Sequence, residues 1–336
     1  MTVLFLFLFV NAIDIRNTWS ELIKVNYVLL IPAIAVYLIS VYFRSIRWRY
    51  ILTPIEVLPI LNLYKVVSVG YMANNLLPLR LGEIVRAHYL GQKEGVSRVS
   101  AFATIAVERI FDGVALLFIG GMTAIFLPVM SIVEGLGSVA GLPWWAPAAG
   151  LSLPFIAASV FMISSSYYYN SLKVLVDKIA DMFPSNIGEK LRTSSDLFLR
   201  GFVVVHGPKR LMSVFLLSMP VWLMEALMYY FIAMSFGFEQ QFGFIRLIGI
   251  VILVLVVSNL ITAIPSAGGG VGTFEVGSLT TLTVLGVDPS LSGAYTIVLH
   301  IALLLPITLL GMVFLLIEDK SVLGLVRESR MAEIDS

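Results

Sequence analysis

The residues best suited to chemistry in this chain are crowded into one stretch, NNLLPLRLGEIVRAHYL, at residues 74–90. Two Asn, two Arg, one Glu and one His stand there among apolar residues. Pro78 and Gly82 interrupt regular helix, because proline lacks an N–H donor and glycine permits unusual dihedral angles. Inside a membrane, non-helical backbone is tolerated where protein or a wet cavity surrounds it. The stretch therefore predicts a polar cavity, and the alternative is a loop whose basic residues touch lipid headgroups.

The two arginines of this stretch indicate the kind of ligand. Arg80 precedes the position where a helix can resume, and free N–H groups at a helix N-terminus favour an anion. The planar guanidinium group also matches the oxygens of a phosphate. Glu83 and Arg86 are three positions apart and are expected to pair on one helix face. We expect Arg80 and Arg86 to bind a phosphate group.

A second group of charges lies in SAFATIAVERIFDG, residues 100–113. On a helix, Thr104, Glu108 and Asp112 share one face, and Arg109 can reach Asp112 three positions on. Charged residues within a span usually face the bundle interior and pair with one another. The cluster either positions the arginines of the first stretch or holds its own helix to a neighbour, and both interpretations stay open.

The third group is glycine-rich: IPSAGGGVGTFE, residues 264–275. Its glycines, among them Gly269, Gly270 and Gly272, disfavour a stable helix. A glycine-rich loop can bind phosphate through backbone N–H groups, and Glu275 follows at once. No Gly-Lys-Ser or Gly-Lys-Thr follows, which excludes a Walker loop. The alternative is a tight turn between two helices.

Single titratable residues suggest where a proton could be carried. Glu225 lies in the middle of an apolar segment, PVWLMEALMYY, and an intramembrane carboxylate is a functional candidate. Glu225 and Glu275 are therefore proton-coupling candidates, and the alternative for Glu225 is a protonated core residue bonded to a neighbour. His300, inside the last apolar segment, is interpreted as a packing residue.

Composition places the whole chain in a membrane. Of its 336 residues, 59% are hydrophobic and 13% are charged, about half the charged fraction of a soluble domain. The formal net charge of +1 gives no basic field for nucleic acid. The chain has no Cys, which excludes disulfides and thiolate metal sites. We expect an all-α polytopic membrane protein with neither metal nor cofactor and no catalytic group.

Apolar segments predict about seven to eight transmembrane helices, since a helix needs about 20 apolar residues to cross. The good candidates are 26–46, 99–127, 146–165, 211–235, 247–264 and 292–317, and the weaker ones are 2–13 and 276–290. Segments 55–90 and 264–276, broken by Pro and Gly, are predicted as re-entrant or discontinuous elements.

Lys and Arg mark the cytoplasmic side of membrane proteins. Arg44, Arg47 and Arg49, the long basic connection at 166–210 and the C-terminal residues all carry this signal. The segment 131–145 lacks Lys and Arg and suits the outer side. We expect a multi-pass protein of the cell membrane with a cytoplasmic C-terminus.

Two further segments have open interpretations. The start, MTVLFLFLFV, lacks a basic region and a cleavage site, so it predicts a short first span or anchor, or the start of a longer natural span. The connection at 166–210 is either an amphipathic helix lying on anionic lipid or a solvated helix.

The two interrupted segments resemble each other. Asn75, Pro78, Gly82 and Glu83 mark the first, and Asn259, Pro265, Gly272 and Glu275 mark the second. Thr104 follows Glu83 by 21 positions, and Thr296 follows Glu275 by 21 positions. An internal repeat would match transporters in which discontinuous elements from two halves form the site. The span count does not give the orientation of such a repeat.

Three motifs in order carry a resemblance that covers nearly the whole chain: Asn-x-Leu-Pro-x-Arg-x-Gly-Glu-x-x-Arg, Glu-Arg-x-x-Asp and Pro-x-x-Gly-Gly-Gly-x-Gly-x-x-Glu. They resemble those of the lysylphosphatidylglycerol synthase transmembrane domain family, also called the flippase-like or UPF0104 family. The matching residues are Asn75, Leu77, Pro78, Arg80, Gly82, Glu83, Arg86, Glu108, Arg109, Asp112, Pro265, Gly268, Gly269, Gly270, Gly272 and Glu275.

The resemblance implies one transmembrane domain over residues 1–336 that moves a lipid between leaflets. In the best-known members this domain flips lysylphosphatidylglycerol made by a fused soluble synthase domain. Other members look tied to lipid-linked sugars, polyprenyl phosphates or hopanoid-type lipids. The present 336 residues hold no such synthase domain. We therefore expect a phospholipid or lipid-linked substrate, with a separate lipid-modifying enzyme as a candidate partner.

Three functions compete. The first is a flippase or scramblase that works without ATP on an anionic, aminoacylated, polyprenyl-linked or glycosylated lipid. The second is an intramembrane enzyme acting on a lipid headgroup, with Glu83 and His88 as acid and base. The third is a scaffold or regulator of a lipid-modifying enzyme. The substrate-binding candidates are Asn75, Pro78, Arg80, Glu83, Arg86, Glu108, Arg109, Asp112, Gly269, Gly270, Gly272 and Glu275.

Overall fold

The computed structural model of the protein describes residues 2–125, 129–203, 205–264 and 268–318. This described part consists of α-helices and two short 3-10 turns, Tyr27–Leu29 and Gly268–Gly270, and contains no strand. The helices are α1 (Thr2–Asn11), α2 (Ile15–Ile23), α3 (Leu30–Leu52), α4 (Ile60–Leu76), α5 (Gly82–Glu94), α6 (Arg98–Thr123), α7 (Val129–Ala140), α8 (Trp145–Tyr167), α9 (Tyr169–Ala180), α10 (Ser185–Val203), α11 (Pro208–Ser235), α12 (Phe238–Phe242), α13 (Phe244–Ile261), α14 (Thr273–Val284) and α15 (Pro289–Ile317).

Five of the described helical segments are long and apolar enough to cross a membrane, and a sixth is counted if α1 and α2 form one bent span. The five are Tyr27–Leu52, which includes α3, and the helices α8, α11, α13 and α15. With 26 residues α6 also has the length, but three charged residues in its middle keep it out of this count. The apolar helices confirm an all-α polytopic membrane protein, while seven to eight spans stay a prediction.

The two weaker predicted spans are limited by breaks in the helices. The first, 2–13, contains α1, which ends at Asn11, and the chain then bends by 83° into α2. The Asp14 carboxylate accepts hydrogen bonds from the N–H groups of Arg16 and Asn17 and so starts the new helix. Within 276–290 the helix α14 ends, and α15 begins behind its cap residue Asp288. Each cap is a single polar residue, so the mean hydropathy of a segment of about 20 residues does not reveal the helix break.

Two segments expected as connections also contain helices. Most of 131–145 is α7, and most of 166–210 is α9 and α10. The two helices of the longer connection are joined through Asp196 of α10, which accepts a hydrogen bond from Tyr169 of α9. That hydrogen bond lowers the pKa of the Asp196 carboxyl. The connection packs through α10 on α6 and α8 and is therefore part of the bundle.

The first interrupted segment is a hairpin of α4 and α5. Gly82 at the start of α5 lies against Asn74 of α4, so closely that a Cβ on Gly82 would stand 2.3 Å from the Asn74 nitrogen. Arg86 lies four residues after Gly82 in α5 and crosses Gly70, which lies four residues before Asn74 in α4. The two helices are thus antiparallel, and small residues allow their close approach. The path of this hairpin into and out of the membrane stays a prediction.

The second interrupted segment belongs to a hairpin of α13 and α14. Gly277 of α14 lies against Ile261 and Ser258 near the end of α13. Between the helices, the turn Gly268–Gly270 contains left-handed backbone at Gly269, which glycine adopts readily. Pro265 of the glycine-rich motif lies outside the described residues.

The same order of elements occurs twice along the chain. A long helix, a hairpin and a second long helix form α3, α4–α5 and α6, and again α11, α13–α14 and α15. The leading helices α3 and α11 pack antiparallel, because Arg44 bonds to Glu225 while Arg210 bonds to the carbonyl of Tyr50. The halves also exchange equivalent contacts, since α4 packs on α15 and α13 packs on α6. Apart from the short α12 between α11 and α13, the order and packing of these described elements are those expected of an inverted repeat.

Candidate functional site: a polar cavity between two hairpins

The turn between α4 and α5 is held in an unusual conformation. Leu79 and Arg80 have φ angles of 57° and 56°, in the left-handed region that residues other than glycine rarely adopt. The turn carries the Arg80 side chain to the other half of the molecule, where Nη2 donates a 2.8 Å hydrogen bond to the carbonyl of Thr262. Thr262 caps the C-terminus of α13, where free carbonyls favour a cation.

The two interrupted segments meet, as their motifs predict. A Cβ on Gly268 would stand 2.5 Å from the carbonyl oxygen of Asn75, so only glycine fits this approach without a shift. The Asn75 amide also donates hydrogen bonds to the carbonyl of Leu304 and to the hydroxyl of Thr308, at 3.2 and 2.9 Å. The first hairpin is thereby attached to both the glycine-rich turn and α15.

A cavity of about 290 Å³ lies at this junction. From the first half it is lined by Asn74, Asn75, Arg80, Glu83, Arg109 and Asp112. From the second half it is lined by Glu225, Asn259, Thr262, Gly269, Gly270 and His300. Seven of the twelve substrate-binding candidates named from the sequence are therefore in its wall. Arg86, Glu108, Gly272 and Glu275 lie behind that wall, and Pro78 is exposed.

From α3 come two arginines that the sequence did not assign to the site: Arg44 lines the cavity, and Arg47 lies behind it. Arg47 is fully buried and donates to Asp112 Oδ1 at 2.7 Å and to Glu108 Oε1 at 3.0 Å. Arg44, also buried, donates to Glu225 Oε2 at 2.7 Å. Both are paired inside the bundle and are therefore not surface charges, so their interpretation as markers of the cytoplasmic side stays a prediction.

Because Arg44 and Arg47 are buried, they give less support to the predicted orientation of the protein in the membrane. Of the three arginines near the end of α3, only Arg49 is not buried. The basic residues beyond Glu318 lie outside the described residues. A cytoplasmic C-terminus therefore stays a prediction.

The expected pair of Glu83 with Arg86 is replaced by other partners. Arg86 extends across Gly70 and donates to Glu108 Oε2 at 2.8 Å, while its guanidinium stacks 3.7 Å from the ring centre of Trp48. Glu83 lies 3.7 Å from Nε of Arg109. The partners of Arg86 and Glu83 both lie on α6, so residue spacing along α5 alone does not predict these pairs.

The predicted face of α6 is confirmed. Thr104 accepts a hydrogen bond from the indole of Trp48, and Glu108 and Asp112 point to the same side toward Arg47. Arg109 reaches Asp112 at 3.3 Å, as its spacing predicts.

The charges of this cluster balance. It contains Arg44, Arg47, Arg86 and Arg109 against Glu83, Glu108, Asp112 and Glu225. We call these eight residues the neutral cluster. Arg80 is outside it, since no carboxylate of the described residues lies within 4.0 Å of its guanidinium. The cavity thus carries one positive charge that the described residues do not neutralise by a direct pair.

On the other wall, a hydrogen-bonded chain links α14, the glycine-rich turn and α15. Glu275 accepts a 2.7 Å hydrogen bond at Oε2 from the N–H of Gly272 and lies 2.6 Å through Oε1 from Nδ1 of His300. Nε2 of His300 lies 3.0 Å from the carbonyl oxygen of Gly269, and Phe274 stacks on its ring. Sequence reasoning treated His300 as packing, and its partners Glu275 and Gly269 lie on other elements.

Asn259 forms the cross-helix hydrogen bond that its position in an apolar span suggests. Its amide donates to the Tyr229 hydroxyl at 3.1 Å. His88, the base of the enzymatic alternative, is buried on α5 and is not among the described residues that line the cavity.

Comparison with known proteins agrees with the motifs. The family described as the lysylphosphatidylglycerol synthase TM region matches residues 1–311. A UPF0104 membrane protein of Pyrococcus horikoshii is 26% identical over 90% of this chain and 90% of its own length. One from Methanothermobacter thermautotrophicus is 25% identical over 81% of this chain and 78% of its own length.

A third relative has a name that states an activity. Glycosyltransferase AglD of Haloferax volcanii is 25% identical over 89% of this chain, which corresponds to 50% of the length of that protein. No solved structure shows a significant match.

The fold and the cavity define an all-α polytopic membrane protein whose polar site lies between two inverted halves. The chain belongs to the lysylphosphatidylglycerol synthase TM region family, as its three motifs indicate.

Proposed function

We propose that this protein moves a lipid with an anionic headgroup between the leaflets of the cell membrane, as a flippase or scramblase that works without ATP. The observation that carries the proposal is Arg80, an unneutralised cation at a cavity between two inverted halves. Aminoacylated, polyprenyl-linked and glycosylated lipids belong to the same substrate class where they carry a phosphate.

Arg80 is suited to bind the phosphate. Among the described residues it donates one hydrogen bond, to Thr262, and a guanidinium has five N–H donors. The remaining donors can bind phosphate oxygens in the bidentate manner typical of arginine. The volume of about 290 Å³ is at the lower end for ligand cavities, so it suits a headgroup whose acyl chains stay outside.

The neutral cluster supports this site without itself binding the lipid. Arg109 and Glu83 line the cavity, and Arg109 is held by Glu108 and Asp112. Arg86 is assigned a positioning role in place of the expected phosphate contact, because it is buried and paired with Glu108. A cluster of this kind keeps the cavity wall rigid, so Arg80 alone adapts to the ligand.

The inverted repeat supports transport over binding alone. In secondary transporters, discontinuous helices from two inverted halves form a central site that opens to either side as the halves rock. The chain contains no Walker loop, so movement is driven downhill or by an ion gradient. Glu225 and Glu275 stay the candidates for carrying a proton.

The proposal is tested by measuring transbilayer movement of fluorescent phosphatidylglycerol in liposomes that contain the purified protein. Arg80→Ala is expected to lower the rate at least about tenfold, because one charge-assisted hydrogen bond is worth about 1.5–3 kcal/mol. The variant should stay folded, since Arg80 is exposed. Arg49→Ala, which removes a charge outside the neutral cluster, is the matched control and should leave the rate unchanged. Equal rates in the wild type and Arg80→Ala would overturn the role of Arg80.

A second function is favoured by one comparison. This chain corresponds to half of a protein named as a glycosyltransferase, so a scaffold for a separate lipid-modifying enzyme is the other candidate. Purified protein that moves no lipid, together with loss of a lipid-modifying activity on deletion of the gene, would support the scaffold and contradict the flippase.

A further inference from the structure

The second wall of the cavity contains a titratable pair that the neutral cluster does not include. His300 of α15 and Glu275 of α14 are both buried, with 4% and 8% of their surface exposed. His300 lines the cavity beside the glycine-rich turn, and Glu275 lies behind it. Its hydrogen bonds define how many protons it holds.

Both ring nitrogens of His300 face acceptors. Nδ1 lies 2.6 Å from a carboxylate oxygen of Glu275, and Nε2 lies 3.0 Å from the carbonyl oxygen of Gly269. A neutral imidazole has one N–H donor and one acceptor nitrogen, so it cannot donate to both. Both contacts can be hydrogen bonds at once only when the pair carries one additional proton, either as an imidazolium beside a carboxylate or as a neutral ring beside a carboxylic acid.

Loss of that proton must break one of the two hydrogen bonds. The bond from Nδ1 to an ionised carboxylate is charge-assisted and therefore the stronger one. The bond from Nε2 to Gly269 is the one given up. Deprotonation also changes the net charge of the pair from zero to −1.

The bond to Gly269 holds the turn that joins the two halves. Gly269 is the central residue of Gly268–Gly270, and Gly268 lies directly on the carbonyl of Asn75. The same Asn75 is bonded to α15, the helix that carries His300. Proton loss at His300 therefore frees the element that closes the contact between the hairpins.

The surroundings of the pair contain other charges, most of them already paired. Those lining the same cavity are Arg44 from α3, Glu83 and Arg80 from the first hairpin, Arg109 and Asp112 from α6, and Glu225 from α11. Tyr37 of α3 and Tyr71 of α4 add hydroxyl groups. The helix α2 also packs on α15. It begins shortly after Ile13, which contacts Gly293 about two turns before His300 along α15. Arg80 is the charge outside the neutral cluster.

We propose that His300 and Glu275 together form a proton-binding site, and that their proton favours an anion at Arg80. The negative charge left after deprotonation competes with an anionic headgroup for Arg80, and the freed turn loosens the cavity. By reciprocity of linked binding, the anion raises proton affinity as much as the proton raises anion affinity. The inference rests on the proposed function for the identity of the anion and supplies its driving ion.

Glu275→Gln separates the effect of the proton from that of the hydrogen bonds. Glutamine can form the hydrogen bonds of the protonated pair but does not titrate. The amide oxygen can accept from Gly272, and the amide N–H can donate to Nδ1 of a neutral His300, which leaves Nε2–H for Gly269. Binding of fluorescent phosphatidylglycerol to protein in nanodiscs is measured between about pH 5 and pH 8, the range in which histidine ordinarily titrates. The phosphodiester probe keeps one negative charge throughout.

We expect wild-type affinity to fall by up to about tenfold per pH unit above the transition, as linkage to one proton requires. Glu275→Gln and His300→Gln are expected to lose this slope. Glu225→Gln tests the other proton-carrying candidate: a slope that is lost in Glu225→Gln and kept in Glu275→Gln would assign the proton to Glu225 and overturn the inference. The wild-type slope persisting in both Glu275→Gln and His300→Gln would overturn the inference while leaving lipid transport intact.

Failure of the phosphatidylglycerol probe to bind would count against the proposed function alone. In that case a second measurement still tests the proton site. Nitrogen NMR of histidine-labelled protein, with the signals of His300 assigned by their loss in His300→Gln, reports both ring nitrogens. We expect Nε2 to carry a hydrogen at low pH and to lose it at high pH in the wild type, and a fixed Nε2–H tautomer in Glu275→Gln. A wild-type His300 ring that keeps one tautomer and one charge throughout the range would contradict the proton site, because both forms of the protonated pair lose Nε2–H with the proton.

Discussion

At the scale of single residues, Arg47 shows how a charge is kept in the interior. Its side chain is fully buried and donates to Glu108, Asp112 and the hydroxyl of Ser218. Removing one partner from a buried ion pair is far more costly than replacing the whole pair, because an unpaired buried charge remains. Arg47 is therefore expected to be critical for stability and to have no contact with the lipid.

Arg47→Met should lower the free energy of unfolding by about 3–5 kcal/mol, since two carboxylates lose a partner. Thermal unfolding in detergent micelles measures the change. Arg49→Met, two positions along the same helix, is the control and should change stability by less than about 0.5 kcal/mol. Similar shifts in the two variants would show that the pairs of Arg47 contribute nothing specific.

Residue spacing predicted contacts within one helix better than contacts between helices. The reach of Arg109 to Asp112 is set by the geometry of α6 alone and was predictable. The partner of Arg86 is chosen by Gly70 and Glu108 on other elements, so its pairing with Glu83 was predicted wrongly. The acidic partners of Arg44 are 68 and 181 residues away along the chain, which explains why it was read as a surface marker.

At the scale of elements, glycines decide how closely the hairpins approach each other. Gly268 lies against the backbone carbonyl of Asn75, and backbone atoms cannot rotate away as a flexible side chain can. The contact between the two hairpins therefore depends on the absence of a side chain at this position.

Gly268→Ala should destabilise the protein by about 1–3 kcal/mol, the usual effect of overpacking, and should weaken binding of phosphatidylglycerol. Its added methyl group would stand 2.5 Å from the Asn75 oxygen. Gly150→Ala on α8 is the control, because no atom lies within 4 Å of the added Cβ and alanine favours helix. Thermal unfolding and probe binding are measured for both, and an unchanged Gly268→Ala would refute a tight junction.

Breaks in the helices were predictable where Pro and Gly interrupt an apolar segment. Pro78 and Gly82 mark the turn between α4 and α5, and the glycine-rich motif marks the turn before α14. Breaks made by capping were missed, because Asp14 and Asp288 each act through one carboxylate at a helix start. The motifs thus predicted that the two hairpins meet, while the bend from α1 into α2 and the end of α14 required the structure.

At the scale of the whole molecule, the proposed transport requires two conformations, which the inverted arrangement of the halves would relate by symmetry. The contact of α4 with α15 and that of α6 with α13 are equivalent in the repeat. In a rocking movement one of these contacts would tighten as the other opens. Locking either contact should therefore arrest transport without touching the cavity.

A disulfide between α6 and α13 tests this arrangement, and the chain has no native Cys to interfere. A Cβ at Gly120 would lie 3.9 Å from Cβ of Val256, within the range that a disulfide needs. The double variant Gly120→Cys/Val256→Cys should form the bond on oxidation, stop lipid movement in liposomes and recover it on reduction. Each single variant serves as control. Full transport by the oxidised double variant would contradict rocking at this contact.

The neutral cluster also constrains how the protein is made. Arg44 and Arg47 leave the ribosome well before their partners, and Glu225 follows Arg44 by 181 residues. At about 5–20 residues per second, that interval is about 10–40 seconds of synthesis. Until α6 and then α11 arrive, the arginines of α3 have to keep their charged ends near the membrane surface. One of the earliest helices to be synthesised can thus reach its final depth only after most of the chain has emerged.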